Sequence, residues 1–207
     1  MKRSVVIKAK RLKPINWNFE TIILFTLFLC GVILGVFLIK NCSDDIKSLL
    51  ARVVSDYISA KSQNSFTVCF SGLFILVLIF IFFSFMFGLC AVGTPLIWLL
   101  PIIFGAFGGG YVSILLMNYG LKGLLYFVIV DMVCYAITTA TLMNCCCEST
   151  KISVNLFSCI AGNNNLKNAC LFKNYALNYL VLCVPVALGA VLSTILFKIF
   201  QGLFIFA

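Results

Sequence analysis

Apolar positions in this chain fall into long unbroken runs, at about 21–39, 66–88, 93–117, 121–144 and 175–197, separated by short polar stretches. A hydrocarbon core takes ~20 apolar residues per helix, so each run is long enough to span a bilayer. One segment behaves differently. In "SDDIKSLLARVVSDYISAK" the apolar residues Ile46, Leu49, Leu50, Val53, Val54, Tyr57 and Ile58 recur at helical spacing, the pattern of a single amphipathic stripe. Ser43 is placed to cap it, Asp44 and Asp45 suit its positive end, and Lys47, Arg52, Asp56 and Lys61 are assigned to its polar side. The pattern predicts an all-α polytopic integral membrane helix bundle of about five transmembrane helices plus an external amphipathic helix. Residues 1–207 read as a single membrane domain, with a basic N-terminus at 1–18, an external amphipathic loop at 41–65 and a cytoplasmic loop at 146–174.

Small residues and prolines refine that picture. Gly31 and Gly35 in "GVILG" stand four apart, as do Gly105 and Gly109, with Gly110 beside them. This spacing lets helix backbones approach closely, so all five glycines are expected at packing faces. Gly93-Thr94-Pro95 reads as a helix start, with threonine as cap and proline at the first helical position. Pro101 falls in the second turn and is expected to kink a close-packed span; a span broken around a substrate site is the alternative. Asp131 is the one acidic residue deep in any run. An ionisable group at such depth costs ~2.5 kcal/mol or more and should face the bundle interior. No basic residue lies at comparable depth in the linear pattern, so hydroxyl partners such as Tyr135 are expected, with a proton or ion relay as the alternative.

Charge then orients the chain. Six of the fifteen basic residues lie in the first thirteen positions. With Lys151, Lys167 and Lys173, nine basic residues fall on one side against five (Lys40, Lys47, Arg52, Lys61 and Lys122) on the other. The positive-inside rule then puts the N-terminus in the cytoplasm and the C-terminus outside. This accounts for the net charge of +9 without nucleic acid, and anionic lipids are the natural partner of the basic end. Eleven cysteines do not make a metal centre, because Cys145-Cys146-Cys147 lacks the paired spacing of zinc ligands. With no histidine and only six scattered acidic residues, no catalytic residue, metal ligand or cofactor is expected, so the chain does not read as an enzyme.

The central stretch "FGLCAVGTPLIWLLPIIFGAFGGGYVSILLMNYGLKGLLYFVI" resembles the stage II sporulation protein M family. The matching elements are the turn at Gly93 and Pro95, the spaced glycines 105, 109 and 110, and the turn at Gly120, Lys122 and Gly123. The plan of the chain is similar as well, whereas the family's Pro-polar-Asn step is replaced here by "VDMVCY". The resemblance implies a scaffold in the bacterial cytoplasmic membrane, at the septal membrane of a sporulating cell. It would hold wall-facing peptidoglycan-degrading proteins, the stage II sporulation proteins D and P, during forespore engulfment. Leu50, Val54 and Tyr57 on the external helix are the candidate partner contacts, with packing of that helix over its own bundle as the alternative, and the small-residue faces permit a homodimer. The alternative is a transporter or channel subunit using Asp131 beside the glycine-rich helix.

Overall fold

A chain in hydrocarbon has no water to satisfy its backbone, and helices solve this within one segment. In the computed structural model, which describes residues 19–63, 66–160 and 168–200, every regular element is accordingly a helix. These are α1 (Phe19–Asn41), α2 (Asp44–Gln63), α3 (Phe66–Gly88), α4 (Thr94–Tyr126), a π-helical turn (Phe127–Asp131), α5 (Met132–Ile160) and α6 (Asn168–Phe200). Three helical stretches, Phe19–Asn41, Thr94–Ser158 and Asn174–Phe200, are long and apolar enough to cross a membrane, and Phe74–Gly88 is a shorter apolar helix. Large apolar side chains such as Phe37, Phe107 and Leu180 stand exposed along these helices, as expected of a helical bundle whose solvent is lipid. The basic cluster at 1–13, the "NNN" turn at 163–165 and the segment 201–207 lie outside the described residues.

Two chain reversals organise the bundle. At the first, Cys90 accepts a bond from the Gly93 amide at 3.0 Å, and α4 starts at Thr94 with Pro95 in its first turn. Gly93, not Thr94, is the capping residue, and no side chain caps this end. The Thr94 hydroxyl instead donates to Ser153 at 3.3 Å, tying the turn to α5. The second reversal is hidden inside α4. Gly120 has φ +56° and ψ −138°, a conformation glycine adopts without strain. Beyond it the chain doubles back: a Cβ on Gly123 would sit 2.4 Å from the Leu115 carbonyl oxygen, and Tyr135 bonds back to Phe104. The helix runs unbroken through the buried Pro101 up to Tyr119, so the break lies at Gly120 rather than at a proline.

The closest packing joins α1 to α4. A Cβ on Gly31 would meet the Ile102 carbonyl oxygen at 2.3 Å, and one on Gly35 the Ala106 oxygen at 2.2 Å. From the other side, Gly105 faces the Phe28 oxygen at 2.4 Å and Gly109 the Val32 oxygen at 2.2 Å. Partners advance together along both helices, so the pair is parallel and backbone lies on backbone. Gly110 differs, since a Cβ there would meet only the Ile39 side chain at 3.6 Å. Beside this seam Phe28, Phe104 and Tyr135 form an aromatic cluster, with Phe104 and Tyr135 stacked 5.2 Å apart.

The stretch 146–174, expected as a loop, is helical over most of its described residues. Helix α5 continues to Ile160 and α6 begins at Asn168. Cys145, Cys146, Cys147, Ser149, Thr150 and Ser153 are all buried. The hydroxyls made this stretch look polar, yet each has a protein partner: Thr150 donates to the Cys146 carbonyl one turn back at 2.8 Å, and Ser153 to Cys90 at 2.8 Å. A helix whose hydroxyls are bonded in this way can stay inside a bundle.

Candidate functional site

The site is assembled by α2. Its N-terminus carries Asp44 and Asp45, with Lys47 paired to Asp44 at 3.2 Å, and the Lys47 amide donates to Ser43 O at 3.0 Å. The amphipathic stripe divides into two faces. Val54 and Ile58 are buried and Leu50 is half-buried, packed on Ile114, Leu115, Tyr126, Val130 and Phe197. Ile46, Leu49 and Val53 are turned outward, 49%, 62% and 57% exposed, with Tyr57 at the margin. Of the three candidate partner contacts, Val54 therefore belongs to the protein's own core, Leu50 lies at its edge, and Tyr57 alone is exposed.

Lys61 stands three residues beyond Ile58, on the same inward face. Its ammonium lies 3.1 Å from Asp131 Oδ1, with the two side chains only 2% and 15% exposed. This corrects two expectations: Lys61 is not on the polar side of α2, and Asp131 has a basic partner. The partner was missed because it comes from a different helix, brought to this depth by tertiary packing. The Tyr111 hydroxyl donates to Asp131 Oδ2 at 3.0 Å and the Ser193 hydroxyl to Oδ1 at 3.3 Å. Tyr135, the expected partner, bonds Phe104 O at 3.1 Å instead. The ammonium also sits over Phe197, 4.9 Å from the ring centre, with Tyr57 and Tyr126 each at 5.9 Å, a cation–π enclosure.

Asp131 closes the π-helical turn at Phe127–Asp131. Such one-turn bulges re-aim side chains and recur at functional sites. Here the bulge brings the carboxylate towards donors from α2, α4 and α6 together. Removing two charges from solvent is costly, and the cost is offset when the remaining lone pairs are also hydrogen-bonded. Ser193 and Tyr111 supply those bonds.

A cavity of about 680 Å³ lies against this group, bounded by α2, α3, α4, α5 and α6. Asp131 and Ser193 form part of its wall, and the remainder is mainly apolar. Near the other end of α5 lies a separate hydroxyl cluster. Ser149 bonds Ser84 at 3.1 Å, Tyr175 at 3.1 Å and Tyr179, while Tyr175 and Tyr179 donate to Phe85 O and Cys145 O at 3.1 and 3.0 Å. It joins α3, α5 and α6.

The other sequence candidates occupy distinct places. Gly31, Gly35, Gly105 and Gly109 form the α1–α4 seam, Gly93 and Pro95 the first reversal, and Gly120 and Gly123 the second, with Lys122 exposed there. The three adjacent thiols disperse, Cys145 packing with Val186 and Tyr179, Cys146 and Cys147 with Leu142 and Met143. Among the described residues no cluster of His, Cys, Asp or Glu is placed to hold a metal ion. Lys61 was legible in principle, because extending the Val54–Ile58 spacing by three residues reaches it. Comparison with protein families, with characterised proteins and with solved structures finds no match to this chain.

Proposed function

We propose that this chain is a non-enzymatic membrane scaffold that recruits and positions peptidoglycan-degrading partners at the septal membrane during forespore engulfment. The observation that carries it is the two-faced α2. One face is held to the bundle by the Lys61–Asp131 pair, and the other presents Ile46, Leu49 and Val53 unpartnered among the described residues. A fixed helix with a free apolar edge suits docking, because little order is lost when a partner binds. The family resemblance supplies the nature of the partners, the stage II sporulation proteins D and P.

In this reading the chain crosses the membrane five times, N-terminus in the cytoplasm and C-terminus outside. The spans are α1, α3, the leg from Thr94 to Tyr119, the leg from Leu121 into α5, and α6. Two features support it: the reversal at Gly120 divides the long apolar stretch, and α3 at 23 residues would be ~35 Å long at ~1.5 Å per residue. α2 then lies on the wall-facing side.

A transporter or channel subunit is the second reading, favoured by the cavity that reaches Asp131. The test is a membrane pull-down of the tagged full chain from its sporulating host, followed by mass spectrometry. Wall-degrading proteins should co-purify, and Ile46→Asp with Leu49→Asp should release them while the chain stays membrane-inserted. Unchanged recovery with the double variant would sink the docking role. A solute or ion flux abolished by Asp131→Asn, with all partners retained, would establish the transporter instead.

A further inference from the structure

The cavity beside Asp131 poses a separate problem of occupancy. Its inner wall includes Val77, Val186 and Ala190, which are 8%, 0% and 2% exposed. Its mouth includes Leu76, Ile79 and Phe107, which are 54%, 49% and 68% exposed on α3 and α4. At about 680 Å³ it is the size of a ligand site, typically ~300–1,000 Å³. A void of this size forfeits dispersion contacts along its whole lining.

Water does not suit it. A buried water needs two to four polar partners, whereas this wall is mainly apolar and four of its hydroxyl donors are already engaged. Tyr111 and Ser193 donate to Asp131, Tyr135 to Phe104 O, and Thr138 to the Tyr135 carbonyl at 2.9 Å. What lies outside the mouth is decided by Leu76, Ile79 and Phe107, outward-facing apolar side chains on helices of a membrane bundle. In the five-span reading, on which this step rests, the adjoining medium is bilayer hydrocarbon.

We propose that the cavity is a binding site for one acyl chain of a membrane phospholipid, entering laterally between α3 and α4. The chain lies along Phe80, Val77, Val186 and Ala190, under the C-terminal half of α2, whose Val53, Val54 and Tyr57 close one side of the cavity. Val53 thus stands between the cavity and the outward face at Ile46 and Leu49. The site stands independently of what α2 recruits.

The experiment uses the full chain in nanodiscs of phosphatidylethanolamine and phosphatidylglycerol, with a trace of phosphatidylglycerol bearing a diazirine near the end of one acyl chain. After irradiation, the labelled residues are mapped by mass spectrometry. Label is expected on Val77, Phe80, Val186 or Ala190, as well as on the lipid-facing belt at Ile75 and Phe82. Ala190→Phe, which fills the cavity, should cut inner-wall label about tenfold, equivalent to ~1.4 kcal/mol of lost packing, and leave the belt unchanged. Leu76→Trp narrows the mouth from an exposed position and should do the same should Ala190→Phe fail to fold. Label confined to the belt, or inner-wall label that survives both substitutions, overturns the proposal.

Discussion

Replacing Lys61 by methionine keeps the length of the side chain and removes its charge, leaving the Asp131 carboxylate buried without its cation. The pair is 3.1 Å apart, and its members are 2% and 15% exposed. Breaking one side of a buried pair costs ~3–5 kcal/mol. Two terms place this site within that range. Tyr111 and Ser193 still donate to Asp131 at 3.0 and 3.3 Å, and bonds to a charged group contribute ~1.5–3 kcal/mol each, which favours the lower end. Against that, the ammonium over Phe197 at 4.9 Å also loses a desolvated cation–π contact of ~2 kcal/mol. A cost of ~3–4 kcal/mol is therefore expected for Lys61→Met, with a similar one for Asp131→Asn. Combined, the two should cost ~3–4 kcal/mol again rather than the ~6–8 kcal/mol that additivity demands, because the second substitution removes a charge already stranded. Reversible unfolding in mixed micelles measures the cycle. Hydrogen exchange locates the change, which should appear in α2 amides and spare the α1–α4 seam. Single variants within ~1 kcal/mol of the parent, or an additive pair, would refute the conclusion that this bond holds α2 to the bundle.

Three further outcomes follow from local geometry. Gly31→Ala and Gly105→Ala put a methyl 2.3 and 2.4 Å from facing carbonyl oxygens and should each cost ~1–3 kcal/mol, whereas Gly110→Ala, meeting only Ile39 at 3.6 Å, should be tolerated; equal melting shifts at all three would contradict the seam. Gly120→Ala should cost ~1–3 kcal/mol through its backbone alone, since φ +56° with ψ −138° is open essentially to glycine and a Cβ there meets nothing within 4 Å, and Gly120→Asn should cost as much in the same melt. Ser149→Ala strips the shared partner from Ser84, Tyr175 and Tyr179 and is expected to lower stability by ~1–3 kcal/mol, loosening α6 from α3 in hydrogen exchange; an unperturbed α6 would show the cluster to be incidental.

Much of the architecture was written in local pattern. Long apolar runs can only be helices when the solvent offers no hydrogen bonds, so the helical bundle follows from hydropathy. The reversal at Gly120 and the start at Gly93-Thr94-Pro95 follow from residues whose backbone preferences hold in any context. The glycine pairs at 31 and 35 and at 105 and 109 announced close packing, and α2 was visible as the one strongly periodic segment.

Side and depth were not legible, and the reason is physical. In lipid the outward face of a helix is as apolar as the inward one, so hydropathy cannot say which residues a bundle buries. The α2 stripe left Leu50, Val54 and Tyr57 open alike to partner docking or to packing over the bundle, and the fold then gave them three degrees of burial. Likewise the hydroxyl-rich stretch after Asn144 read as a loop, although its hydroxyls bond within α5 or to neighbouring segments and leave the helix intact. Asp131 could be recognised from sequence as needing a partner. That the partner is Lys61, seventy residues away, depended on how α2 folds onto the bundle and which donors the π-helical turn brings within reach. Sequence determined which groups would be expensive to bury; tertiary structure decided how each was satisfied, because pairing depends on distances that only the packed helices set.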